Sequence, residues 1–192
     1  MEDVAQDGYI ARAAPLRAAA NDNEEASMYQ TMAGSAHPLA PSEIAVTAMP
    51  EDERVWVPQA EGVWFRPLML NTLVGQWCNL LRVRRSGVLS RHLHPNPVHG
   101  YVIKGRWFYK EHTWVAETGS YVFEPPGEVH TLMVPEDCPE MITFFNITGS
   151  MLYLDENNKH VGYEDVFTTI DMCRAHYEKV GLGGGYIDQF VR

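Results

Sequence analysis

Short apolar runs separated by turn residues dominate the sequence from Val63 onward. The runs are rich in Val, Ile, Phe, Tyr and Trp, and clusters of Gly, Pro and Asn separate them, as is typical of strands. This pattern predicts strands at Trp64–Leu70, Trp77–Arg85, Val98–Lys104, Arg106–Glu111, Thr113–Ala116, Ser120–Glu124, Thr131–Val134, Met141–Ile147 and Met151–Leu154. Many short antiparallel strands at this spacing favour a sandwich or a small closed barrel. Between two of the runs, Lys104 and Gly105 predict a tight hairpin turn, in which glycine supplies the positive φ.

The C-terminal stretch changes to the periodicity of an amphipathic helix. Its apolar residues recur every three or four positions, at Phe167, Ile170, Cys173, Tyr177 and Val180. Asp165 is the expected N-cap, and Gly181 is the expected residue just beyond the C-terminal end. We therefore expect one helix that packs outside the barrel, followed by a glycine-rich turn and a short final segment.

The N-terminal part of the chain has a different composition. Residues 1–27 are rich in Ala, Asn, Asp and Glu and show no sustained apolar period, which predicts a flexible arm. Residues 28–192 are expected to form a single domain. No internal repeat is visible, so a second barrel is not expected.

Composition and charge exclude several classes of protein. Of the 192 residues, 15 are Lys or Arg and 25 are Asp or Glu, and the resulting net charge of −10 argues against nucleic-acid binding. No run of 18 apolar residues and no secretory signal are visible, so neither a membrane span nor export is expected. Three dispersed cysteines favour free thiols in a reducing cytoplasm.

Two histidines near the centre of the chain are the first candidates for chemistry. His92 and His94 are two residues apart, and on an extended strand this spacing turns both imidazoles to the same face. Such a pair suits a borderline cation such as Fe(II), Zn(II), Ni(II) or Cu(II). The pair alone is equally consistent with core or surface histidines.

A third histidine follows a proline and glycine turn. The turn Pro125-Pro126-Gly127 reverses the chain and presents His130 at the start of the next strand. A third imidazole from a separate hairpin would complete a three-histidine site. The opposite side of the metal would then stay open for substrate and oxygen.

Together these residues resemble the two motifs of the cupin superfamily. The resemblance rests on the order Gly87, His92, His94, Gly105, Gly119, Pro125, Gly127 and His130. In this chain His99 stands where most cupins have a glutamate, Val134 stands where many have an asparagine, and the spacing before His92 and before Gly105 is one residue shorter. The stretch RHLHPNPVHGYVIKGRW, the later GSYVFEPPGEVHTLMVPE and the C-terminal GYIDQF are similar to the 2,4′-dihydroxyacetophenone dioxygenases.

The resemblance implies a cupin jelly-roll with a metal held by His92, His94 and His130 and by no carboxylate. Iron(II) is the implied metal, although zinc, nickel or manganese would also suit three imidazoles. His99 is either a fourth ligand or a group that donates a hydrogen bond to a ligand, and we favour the second role. The resemblance also implies a homodimer or homotetramer.

The implied reaction is oxygen-dependent cleavage of an aryl α-hydroxyketone to an aryl carboxylate and formate. Glu124 is the candidate base, although a solvated carboxylate at a strand end explains it equally well. Tyr109 is a candidate hydrogen-bond donor to the substrate, although a tyrosine in an aromatic strand is more often a core residue. Aromatic residues that could line an aryl pocket are Trp77, Phe108, Phe123, Phe144 and Phe145. The alternatives are cleavage of an aliphatic β-diketone and a non-catalytic zinc-binding sensor.

Overall fold

The structure is a computed structural model that describes residues 40–46 and 52–192. The predicted flexible arm, residues 1–27, lies outside the described residues. Residues 41–46 contain no helix or strand. The larger compact unit of the chain comprises residues 50–192, of which residues 52–192 are described.

Twelve strands form this unit, together with one α-helix and two short 3-10 helices at Glu53–Val55 and Gly184–Phe190. The strands are β1 (Val57–Ala60), β2 (Val63–Asn71), β3 (Gln76–Val83), β4 (Gly87–Leu93), β5 (Val98–Lys104), β6 (Arg106–Tyr109), β7 (Ala116–Glu117), β8 (Tyr121–Glu124), β9 (Val129–Val134), β10 (Met141–Thr148), β11 (Ser150–Leu154) and β12 (His160–Asp165). They pair antiparallel into two six-stranded sheets. Sheet 1 has the order β1-β2-β3-β10-β5-β8, and sheet 2 has the order β12-β11-β4-β9-β6-β7. The predicted all-β jelly-roll architecture is confirmed.

Some strands differ from the sequence-based prediction for local physical reasons. Strands β1, β4 and β12 were not among the predicted strands. Pro58 interrupts the apolar pattern in β1, the polar run from Ser90 to His92 interrupts it in β4, and the acidic end interrupts it in β12. The predicted strand Thr113–Ala116 is wrong, since only Ala116 of that range is paired, in the two-residue strand β7. Polar edge segments of this kind pair through their backbones and leave a weak sequence signal.

The turn at Gly105 is present, but the predicted hairpin is wrong. Gly105 has a φ of 74° between β5 and β6. However, β5 pairs with β10 and β8 in sheet 1, whereas β6 pairs with β9 and β7 in sheet 2. The chain therefore crosses from one sheet to the other at this glycine. A Cβ at Gly105 would collide with the backbone carbonyl of Glu140, so the crossing also needs the missing side chain.

The C-terminal helix, α1, spans Val166–Lys179, and its predicted N-cap is confirmed. Asp165 accepts hydrogen bonds from the backbone N–H groups of Phe167 and Thr168, and Gly181 has the positive φ of a helix stop. The predicted apolar face is partly wrong, because Phe167 is exposed. The helix packs against β1, β2 and β12, and its residues Thr168 and Met172 reach the interior cavity. Among the described residues, no helix is both long enough and apolar enough to cross a bilayer.

Candidate metal centre

Two neighbouring strands of sheet 2 bring the predicted histidines together. His92 on β4 and His130 on β9 are direct partners in the antiparallel register. Directly paired residues turn to the same face, so both imidazoles enter the interior. Their Nε2 atoms are 3.2 Å apart. The predicted delivery of His130 by a separate hairpin is therefore wrong, since one strand pair supplies both rings.

His94 joins this pair from the segment that follows β4. Its ring centroid is 5.0 Å from that of His92 and 5.9 Å from that of His130. The spacing of two residues from His92 keeps both rings on the interior face, as the sequence predicts. His92 and His94 are each 4% exposed and His130 is 1% exposed.

Sheet 1 contributes a carboxylate to the same cluster. Glu124, at the end of β8, is buried, and its Oε2 lies 3.6 Å from Nε2 of His94 and 3.5 Å from Nε2 of His130. The other oxygen, Oε1, accepts a 2.6 Å hydrogen bond from the hydroxyl of Tyr109. The ring of Tyr109 stacks on His130 with a centroid distance of 3.8 Å and an interplanar angle of 8°. Tyr109 therefore fixes both the glutamate and a histidine.

Burial controls the protonation of these groups. It lowers the pKa of His92 well below its ordinary value, that of His94 to about 4 and that of His130 to about 3. It raises the pKa of Glu124 to about 7, against the opposing hydrogen bond from Tyr109. The three imidazoles are therefore neutral at pH 7, which is the form that binds a metal ion.

The cluster has the chemistry and the spacing of a cation site. One donor atom from each of His92, His94, Glu124 and His130 can be chosen so that all four lie within 4.8 Å of one another. Two nitrogens about 2.1 Å from a shared ion would be about 3.0–3.4 Å apart for bond angles between 90° and tetrahedral, which brackets the 3.2 Å seen for His92 and His130. The Oε2 of Glu124 is buried without a hydrogen-bond partner, and a cation would satisfy it. The residues present thus fit a divalent metal.

The structure does not bring His99 to this cluster. His99 neighbours Val98 on β5, and Val98 faces the cavity, so the imidazole of His99 points to the other side of the sheet. There its Nδ1 is 2.7 Å from the hydroxyl of Tyr121. The expectation that His99 is a ligand or hydrogen-bonds to one is therefore corrected, because strand alternation sends it outward.

A cavity of about 380 Å³ extends from the cluster between the two sheets. Its apolar walls include Leu81, Leu132, Phe145, Ile147 and Met151. Most of the aromatic residues expected to line an aryl pocket do not reach it. Phe145 is the exception, whereas Trp77 packs elsewhere in the core and Phe123 is 53% exposed.

The polar residues on the cavity walls that were not predicted include Asn79, Tyr153 and Glu164. For Asn79 a signal exists in the sequence, because it lies two residues after Trp77 and two before Leu81, at inward positions of a predicted strand. For Tyr153 and Glu164 the sequence gives no comparable signal. Their place depends on the pairing of β11 with β4 and β12, which is long-range.

Comparisons with known proteins agree with this fold. The model of the family described as the ChrR cupin-like domain matches residues 45–151. An RmlC-like cupin protein from Ralstonia eutropha is 28% identical, with a TM-score of 0.65 over 72% of this chain and 90% of that one. A second cupin-like protein from the same organism, of unknown function, is 22% identical, with a TM-score of 0.60 over 62% of this chain and 75% of that one.

An acetylacetone dioxygenase from Acinetobacter johnsonii is 17% identical, with a TM-score of 0.58 over 69% of this chain and 94% of that one. At this identity the likeness concerns the fold alone. No curated protein matches the sequence. Because the family model covers more than half of the chain and the jelly-roll carries the buried histidine cluster, the chain belongs to the ChrR cupin-like domain family.

Proposed function

We propose that this cupin is a non-haem iron(II) dioxygenase that cleaves the bond between the carbonyl and hydroxymethyl carbons of an aryl α-hydroxyketone. One molecule of ArCOCH2OH and one of O2 would give one aryl carboxylic acid and one formic acid, so all atoms and electrons balance. The proposal extends the family assignment by a substrate and a reaction. It agrees with the sequence resemblance to the 2,4′-dihydroxyacetophenone dioxygenases.

One observation carries the proposal: the neutral histidine cluster and the paired Glu124 and Tyr109 lie together at a largely apolar cavity. His92, His94 and His130 would hold the metal. When bound, Fe(II) would supply Lewis acidity toward two vicinal substrate oxygens and the reducing power that dioxygen needs. Three neutral imidazoles and one nearby carboxyl group, Glu124, would leave at least part of its +2 charge uncompensated, which favours a chelating anion over a neutral ligand.

The residues of the chain would manage the proton and the solvent. Glu124 Oε2, which lacks a partner, faces the cluster and would accept the proton that the substrate hydroxyl loses. Its pKa of about 7 suits a base that operates near neutrality. The Tyr109 hydroxyl holds the opposite oxygen of Glu124 in place. The apolar walls exclude water, so charged groups interact more strongly in the site.

The size of the cavity favours an aryl ketone over a small diketone. A volume of about 380 Å³ lies within the range of pockets for drug-sized ligands. Acetylacetone, with seven non-hydrogen atoms, would leave much of this apolar space unfilled. Cleavage of a β-diketone is nevertheless the second candidate, because a structural neighbour bears the name acetylacetone dioxygenase.

The test is anaerobic reconstitution with Fe(II), followed by oxygen-consumption measurements with 2-hydroxyacetophenones and with acetylacetone. We expect uptake with the hydroxyketones, with aryl carboxylate and formate formed in a 1:1 ratio to the oxygen consumed. His130→Ala should abolish iron retention and turnover. His99→Ala is the matched control, since it removes an imidazole on the outer side of β5 and should retain both.

Oxygen uptake with acetylacetone alone would replace the proposal by the diketone reaction. Protein that purifies with zinc and consumes no oxygen with either substrate after iron loading would favour the non-catalytic zinc-binding role. Loss of iron in His99→Ala to the same extent as in His130→Ala would contradict the three-histidine assignment.

A further inference from the structure

Two of the polar residues that line the cavity outside the metal cluster are buried, one on each sheet. Glu164 on β12 belongs to sheet 2, and Asn79 on β3 belongs to sheet 1. Both are buried, with 5% and 7% of their surface exposed. A buried polar side chain either has a partner in the protein or costs stability until something supplies one.

The protein itself satisfies Glu164. Its Oε2 accepts a 2.6 Å hydrogen bond from the amide of Gln59 and a 2.9 Å bond from the hydroxyl of Tyr153. These contacts join β1 at the edge of sheet 1 to β11 and β12 at the edge of sheet 2. Glu164 therefore stabilises the contact between the edges of the two sheets.

Asn79 has no such partner. Its Oδ1 is buried without a hydrogen bond to any described residue. The residues directly opposite it on the two flanking strands are Phe145 and Pro67, whose side chains have no hydrogen-bonding group. The carboxamide thus lies on an apolar wall, next to a ring that itself lines the cavity.

The surroundings of Asn79 restrict what this amide can bind. No Lys or Arg is among the described residues that line the cavity, so a carboxylate or phosphate would be buried there without a counter-charge. A hydroxyl is neutral and both donates and accepts, so it can pair with either end of a carboxamide. Among the neutral substituents of an aryl ketone, a ring hydroxyl therefore fits this amide.

The distance to the cluster suits a ligand with two polar ends. Glu124, Val98, Ile147 and Trp77 form one row across four adjacent strands of sheet 1, and Asn79 is two residues beyond Trp77. With strands about 4.8 Å apart and about 3.4 Å per residue, the Cα atoms of Glu124 and Asn79 are at most about 16 Å apart. Both side chains turn inward, which leaves room for one substituted aromatic ring.

We propose that Asn79 is a specificity-determining residue that hydrogen-bonds a hydroxyl substituent on the far side of the substrate ring from the metal cluster. The proposal rests on the proposed function, because it assigns the reactive end of the ligand to the metal.

The test compares the binding of 4′-hydroxyacetophenone and acetophenone to the iron-loaded protein under anaerobic conditions. Neither probe has the hydroxymethyl group, so neither is a substrate for cleavage. The wild type should bind the phenol about 3- to 10-fold more tightly, the effect of one neutral hydrogen bond. Asn79→Leu should bind both equally. Asn146→Leu is the matched control. Asn146 lies between the inward-facing residues Phe145 and Ile147 and therefore faces the outer side of sheet 1. This variant should still bind the phenol more tightly than acetophenone.

A thermal melt of the ligand-free proteins separates recognition from misfolding. Asn79→Leu removes an unpaired polar group from an apolar wall, so its melting temperature should equal or exceed that of the wild type. A structural role for the amide would lower it. If Asn79→Leu does not fold, Asn79→Ser, which is too short to keep the contact, gives the same binding comparison.

Equal affinity of the wild type for the two probes would overturn the proposal, as would a preference that survives in Asn79→Leu. Either result leaves the cleavage reaction standing, because oxygen uptake with the hydroxyketones tests that separately. Conversely, a phenol preference that depends on Asn79, without any oxygen uptake, would refute the reaction and retain the hydroxyl subsite.

Discussion

Replacement of Glu124 by glutamine changes the chemistry of the site with little change in shape. The carbonyl oxygen of the new side chain can still accept the hydrogen bond from Tyr109, which is 2.6 Å long in the structure. The amide nitrogen then takes the position of Oε2, 3.5–3.6 Å from the Nε2 atoms of His130 and His94. An amide nitrogen in that position accepts no proton from a substrate.

The magnitudes follow from these contacts. A hydrogen bond to a neutral acceptor contributes about 1 kcal/mol and one to a charged acceptor about 1.5–3 kcal/mol, so Glu124→Gln should cost about 1 kcal/mol of stability. For a protein of this size that is a fall of about 2–4 °C in melting temperature. The loss of a general base should lower turnover by about 10²- to 10⁴-fold. Since the three histidines remain, one iron per chain should still bind.

The assay measures iron content, melting temperature and oxygen uptake on the same preparations. Glu164→Gln is the matched control, because it neutralises another buried carboxyl group that the protein already satisfies, and it should retain turnover. Loss of iron from Glu124→Gln as complete as in His130→Ala would refute the reasoning. Glu124 would then be a fourth ligand rather than a base.

Two further predictions concern other buried side chains that line the cavity, Tyr109 and Glu164. Tyr109→Phe keeps the ring stacked on His130 but leaves Glu124 Oε1 without its hydrogen-bond donor. The free energy of unfolding should fall by about 1–3 kcal/mol, measured by thermal melts, and turnover should fall, measured by oxygen uptake. Unchanged turnover would contradict the positioning role of Tyr109. Burial raises the pKa of Glu164 in the folded protein above its value in the unfolded chain, which is about 4.3. The contribution of Glu164 to stability is therefore fully present below a pH of about 4.3 and is lost as the pH rises through the pKa of the folded state. The melting temperature of Glu164→Gln relative to that of the wild type should therefore rise between pH 4 and pH 8. A difference between the two melting temperatures that does not change with pH would contradict this.

The local sequence was sufficient to predict most of the strands and the ends of the helix. Short apolar runs between turn residues predicted most strands, and Asp165 and Gly181 predicted the ends of the helix because capping is a matter of a few adjacent residues. The two-residue period of a strand predicted that His92 and His94 share a face. The homo-oligomeric state, the aryl ketone substrate and the flexible N-terminal arm of residues 1–27 remain predictions.

Long-range pairing was the part that the sequence did not reveal. The crossing at Gly105 places β5 and β6 in different sheets, although the turn itself is as short as that of a hairpin. The direct pairing of His92 with His130 depends on the register of β4 and β9, which no short segment encodes. The error at His99 had a different cause. Its position in the motif suggested a role at the metal, although the alternation of side chains along β5 turns it to the outer face of the sheet.

The central claim is that His92, His94 and His130 together bind one divalent metal ion. Anaerobic equilibrium dialysis of metal-free wild type and of the three single histidine-to-alanine variants against Fe(II), followed by metal analysis, tests it most directly. The account predicts one iron per wild-type chain and a loss of binding in each variant, with His99→Ala matching the wild type. Retention of stoichiometric iron by any of the three variants would contradict it.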